Sequence, residues 1–145
     1  MAFHFPLAAV LRVRAIVEER EERMLQRILF EIAKTLELVA RTDGVIAGSD
    51  ASRRSDVLKP FLGSNFHASY GEVEELKLSR RDLEGKLDKL VQLRDKQLAV
   101  YRTARMNREM IADMRDEKRS VYESEMARLE QKAIDDNYIS RKGRF

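Results

Sequence analysis

Apolar residues recur along this chain at alternating steps of three and four, in two long stretches separated by a segment rich in helix breakers. The first stretch opens near Pro6, a residue suited to a first helical turn because its missing N–H would have no partner there. It then runs to about Thr42 without Pro or Gly. Leu25, Leu29, Ile32, Leu36 and Val39 keep the three–four spacing of a heptad seam. Upstream the seam is thinner, carried by Leu7, Val10, Leu11, Val17, Met24 and Ile28. Charge covers most of the circumference from Glu18 to Arg23, which reads as a solvated, loosely packed stretch.

From Asp43 to Ser69 the pattern changes. Gly44, Gly48, Pro60 and Gly63 stand among serines, aspartates and Asn65, the composition of a connection. Ala51 to Lys59 could form a short helix ended by Pro60, and Val57, Leu58, Phe61, Leu62 and Phe66 are apolar enough to fold back over the helix ends. Ser69 and Glu72 then have the spacing of a capping box opening a second helix. Val73, Leu76, Leu83, Leu87 and Leu90 form its seam, with Arg80 at one core position and Arg94 at another. Such arginines are expected to snorkel, or to set register. The seam thins through Leu98, Tyr101, Ala104, Ile111, Met114, Val121 and Leu129, and the helix is predicted to end near Asp136.

The pattern therefore predicts an all-α, antiparallel two-helix coiled-coil hairpin in one domain, 1–145. Helix one covers about 6–42, the connection 43–69, helix two about 70–136, and a tail 137–145. At 1.5 Å per residue the helices are roughly 55 Å and 100 Å long. A shorter arm folded on a longer one would cover it only to about Met106 or Met110, leaving Ile111 to Asp136 as an overhang. A single helix in water is marginal without packing, so the overhang should be frayed or awaiting a partner.

Composition sharpens this reading. Charged residues make up 37% of the chain and aromatics 7%, proportions that fit long helices better than a compact core. The 28 basic and 25 acidic residues are interspersed rather than gathered on one face, so no nucleic-acid partner is expected. With no cysteine, disulfides and thiolate metal sites are excluded. No apolar run nears the roughly 20 residues that span a bilayer, so no direct membrane insertion is expected. No secretory leader is expected either.

The two ends of the chain carry a resemblance. Phe3-His4-Phe5-Pro6-Leu7-Ala8-Ala9-Val10-Leu11-Arg12-Val13-Arg14 resembles the Phe-x-Phe-x-Leu-x-x-Val-Leu-x-x-Arg opening of the FliJ family, the central stalk proteins of the flagellar type III export apparatus. The segment from Tyr122-Glu123-Ser124-Glu125 through Glu130-Gln131-Lys132-Ala133-Ile134-Asp135-Asp136 is similar to that family's Glu-Gln-Lys-x-x-Asp-Glu motif, with Asp136 where Glu is usual. The resemblance implies a hairpin like the rotor stalk of F-type ATPases, located in the cytoplasm and peripheral at the inner face of the bacterial cell membrane. It implies three partners: the export ATPase hexamer, the cytoplasmic domain of the export gate membrane protein, and substrate chaperones. It assigns the ATPase ring contact to Phe3, Phe5, Leu7, Leu11, Ile111, Met114, Val121, Leu129, Glu130, Gln131 and Lys132, and the gate contact to Tyr70, Val73 and Leu76. A sibling stalk of injectisome secretion systems would share these features.

Plainer readings stand beside these. Phe3 and Phe5 would equally serve as a staple packed on the chain's own second helix. Glu130-Gln131-Lys132 would equally be a solvated helix face. A generic coiled-coil scaffold dimerising through the overhang is the alternative function. Catalysis is not expected, and neither is any cofactor. His4 and His67 are the only histidines and lack metal-ligand spacing, and no glycine-rich phosphate loop occurs. A two-helix hairpin also lacks the enclosed pocket that would tune a carboxylate.

Overall fold

A computed structural model of the chain describes residues 2–57 and 63–143, the side chains of 56, 57 and 63–69 excepted. Among the described residues there are two helices and no strand. Helix α1 spans Ala8–Val57 (50 residues) and the longer α2 spans Gly63–Lys142 (80 residues). The packing resolves into two units to which both helices contribute: Glu21–Val100, and Met1–Arg20 with Tyr101–Phe145.

The break expected over 43–69 is much shorter than predicted. Helix α1 continues through Gly44 and Gly48 to Val57, and Ser69 already lies inside α2, so Ser69 and Glu72 do not open that helix. A glycine costs a helix only about 1 kcal/mol relative to alanine, which neighbouring contacts can offset. Here Thr42, Ile46, Ser49 and Arg53 keep the three–four spacing and are all half-buried on one side of α1, while Gly44 and Gly48 face open space. The residues expected to fold over the helix ends lie outside the description: Leu58, Phe61 and Leu62 entirely, with Pro60, and Val57 and Phe66 in their side chains.

In the unit Glu21–Val100 the two helices run antiparallel. Ascending α1, Glu21 meets Gln97, Asp43 meets Arg80, and Arg53 lies over the ring of Tyr70. The seam of α2 follows the sequence pattern: Val73 is 1% exposed, and Leu76, Leu83, Leu87 and Leu90 are half-buried. The seam of α1 differs from the expected one. It runs Leu25, Ile28, Ile32, Thr35, Val39, whereas Leu29 and Leu36 are 44% and 50% exposed. Both series satisfy the spacing. The observed one buries Thr35 at no polar cost, because its hydroxyl donates to the Glu31 carbonyl at 2.8 Å. Replacing Leu36 by Asp should therefore change stability by less than about 0.5 kcal/mol, as for ordinary surface positions. A substantial fall in the thermal melting point would restore Leu36 to the seam.

Two polar seam positions of α2, Arg80 and Gln97, are paired across the helices. Arg80 reaches Asp43 of α1 and Glu84 of its own helix. The hydrogen bond that Arg80 donates to Asp43, then the charges of Asp43 and Glu84, raise the guanidinium pKa. Arg94 instead turns to Asp95 at 3.1 Å, half in solvent. Gln97 donates to the Glu21 carboxylate at 2.6 Å and to the Glu21 backbone carbonyl at 3.1 Å. The stretch expected to be merely solvated thus places Glu21 in the interior, because steps of three and four carry the seam from Glu21 to Leu25.

Candidate interaction surface

The second unit, Met1–Arg20 with Tyr101–Phe145, holds most of the residues singled out by the sequence. Its helices also run antiparallel, with Glu18 of α1 bonded to Arg108 of α2 and Phe5 beside Lys118. Ala104, one turn before Arg108, is buried, and Leu7, Leu11, Tyr101 and Ile111 are half-buried along the same seam. Arg105 pairs with Glu109 at 2.9 Å, a hydrogen bond that with Glu109's charge raises its pKa.

Residues 2–5 precede α1 without helical structure, and the Phe5 carbonyl accepts the Ala8 amide at 3.1 Å where the helix begins. Non-helical chain advances about 3.3 Å per residue against 1.5 Å in a helix, so a few residues reach far along α2. Phe5 is 6% exposed, with the Lys118 ammonium 5.9 Å from its ring centre. The rings of Phe3 and Tyr122 lie 5.5 Å apart, tilted by 49°, and the Arg119 guanidinium stands 5.6 Å from the Phe3 ring. The staple reading of Phe3 and Phe5 thus describes their positions. The cover on α2 extends to Tyr122, and the overhang is correspondingly shorter than the expected Ile111 to Asp136.

Beyond Tyr122 the seam continues in register through Met126, Leu129 and Ala133, with steps of four, three and four. Met126 is half-buried, while Leu129 and Ala133 are exposed, as are Ile134, Tyr138 and Ile139. The helix itself persists to Lys142 rather than ending near Asp136, and the Gly143 amide donates to the Ile139 carbonyl at 2.8 Å. Glu130, Gln131 and Lys132 are all exposed, and the Gln131 amide donates to Asp135 at 3.0 Å.

The proposed ring contacts therefore fall into three groups. Phe3, Leu7, Leu11 and Ile111 are half-buried and Phe5 is buried by the chain itself. Met114 and Val121 are exposed, as are Met106 and Met110, and Met114 is the least exposed of the four. Leu129 through Lys132 lie on the uncovered helix. In the sequence Met106 and Met110 mark only the expected limit of the cover, although their four-residue spacing with Met114 is a legible signal of neighbouring positions on the helix surface. The gate contacts are not brought together on an open surface either. Tyr70 is half-exposed beneath the Arg53 guanidinium at 5.6 Å, Leu76 is half-buried, and Val73 faces inward.

Among the described residues no helix is long and apolar enough to cross a membrane, and no three His, Asp or Glu side chains are grouped as a metal ion would need. Compared with protein-family models, with curated proteins and with solved structures, the chain matches none.

Proposed function

We propose that this chain is a non-catalytic stalk and adaptor of the flagellar type III export apparatus, working by binding other proteins. In this reading the uncovered end of α2 enters the export ATPase ring beside the stapled N-terminal segment, much as the rotor stalk sits in an F-type ATPase. Other surfaces meet the cytoplasmic domain of the export gate and substrate chaperones, which keeps the protein at the inner face of the cell membrane. The observation that carries it is the seam running past Tyr122, where Leu129 and Ala133 are left exposed by the described residues. Leu129 and Ala133 keep core spacing, and apolar residues at core spacing gain stability only when a second surface covers them. The end motifs quoted above supply the identity of that surface.

The test mixes the purified full chain with the export ATPase. Hexamer formation and ATP turnover should both rise with added chain, by at least about threefold at saturation, and Leu129→Asp should remove most of the effect. Unchanged assembly and turnover across a wide concentration range would sink the proposal. A concentration-dependent dimer of the chain alone, abolished by truncation after Tyr122, would favour the scaffold reading that pairs two copies through the same seam.

A further inference from the structure

Beside the N-terminal staple the surface is concave, with a volume of about 380 Å³. Its walls are partly apolar, from Phe3, Phe5 and Leu11, and partly cationic, from Arg12, Arg115 and Arg119. Arg119 is held over the Phe3 ring and Arg115 against Asp116 at 3.1 Å, so two of the three guanidinium groups have defined positions. Asp116 is the one carboxylate bonded to these arginines among the described residues, and Lys118 adds a further cation 5.9 Å from the Phe5 ring. The rim is thus net positive around an apolar floor.

We infer that this notch is a docking site for an acidic protein segment in which one bulky apolar side chain is flanked by carboxylates. The inference rests on the reading that this unit meets a protein partner, and it names the chemistry of that partner. Charge complementarity identifies the occupant. The planar guanidinium fork takes a carboxylate through two parallel hydrogen bonds, which a lysine cannot match. The apolar floor has room for an anchor side chain, the usual centre of a protein contact. A nucleic-acid backbone would call for cations spaced along a stripe, whereas here they ring a single concavity.

The experiment uses the full chain and a blocked peptide carrying one phenylalanine between pairs of glutamates. Amide resonances should shift at His4, Leu11, Arg12 and Arg119, and the peptide should bind with a dissociation constant of about a millimolar or tighter. Arg12→Glu should weaken binding at least about tenfold with helicity unchanged, and Arg115→Gln should weaken it in the same direction. A peptide with lysines in place of the glutamates, or with alanine in place of phenylalanine, should not bind. Equal binding of the lysine peptide, shifts that map away from the notch, or full affinity in Arg12→Glu would each overturn the assignment. Retention on anionic phosphatidylglycerol vesicles through these same arginines, without peptide binding, would overturn it in favour of a lipid surface. If the peptide binds as expected while ATPase turnover is unmoved by the chain, the export reading fails and the notch stands. If turnover rises equally with wild type and Arg12→Glu and the peptide does not bind, the notch fails alone.

Discussion

Replacing Val73 by Asp should unfold the end of α1 and the start of α2. Val73 is 1% exposed, in the unit where Arg53 of α1 lies over Tyr70 of α2. The change removes an apolar burial of about 1.5–2 kcal/mol. It also places a carboxylate where water cannot reach, which costs several kcal/mol more unless the site opens. A total of at least about 4 kcal/mol is a large fraction of the stability of a small protein. Circular dichroism should show the melting point falling by at least about 10 °C. An unchanged melt would place Val73 outside the core. A practical consequence follows for the gate contact implied by the family resemblance. Loss of gate binding in a Val73 variant would report lost folding, whereas Tyr70→Ala, at a half-exposed position, reports the surface.

The second large effect is expected at the other unit. Phe5→Ala should release the N-terminal staple. A buried phenylalanine truncated to alanine costs about 3 kcal/mol or more, through lost burial and the cavity left behind. Here the loss is local, since it frees residues before and at the start of α1 rather than the whole chain. Each 1.4 kcal/mol is a factor of ten, so tryptic cleavage after Arg12 and Arg14 should accelerate about a hundredfold in the regime where cleavage follows the open population. Cleavage at the wild-type rate would mean that Phe5 does not hold the segment down, and would return it to the role of a free partner anchor.

Much of the fold was legible in the sequence, and the departures along the seams share a cause. The seam of α2 from Val73 to Leu90 is dense in leucine and stands out by hydropathy. In α1 two series share the same spacing, and hydropathy favours the one with Leu29 and Leu36. The structure uses Ile28 and Thr35, because a threonine bonded to its own helix is an acceptable core residue that no apolar count detects. The charged stretch misled in the same way: Glu21 is internal because Gln97 donates to it, and Glu18 is half-buried because Arg108 meets it. Polar seam residues become visible only when their cross-helix partners are known.

Gly44 and Gly48 suggest a break in the sequence, yet α1 continues through both. Intrinsic penalties of about 1 kcal/mol yield to a continuous flank of packed residues. Helical rise alone overstates the overhang, because the segment before α1 is non-helical and reaches further along α2. The notch is not legible in the sequence because Arg12 lies more than a hundred positions from Arg115 and Arg119, and only antiparallel packing brings them together. By contrast, the uncovered end of α2 was legible in outline, since it follows from the unequal lengths of the two apolar patterns.

The most direct measurement is amide hydrogen exchange across 123–142, with the chain alone and with the export ATPase ring. Exchange should be fast in the free chain, within about tenfold of an isolated helix, and should slow at least about a hundredfold around Met126, Leu129 and Ala133 when the ring is present. Strong protection of these amides in the free chain, or protection by the ring that spares them, would contradict the account.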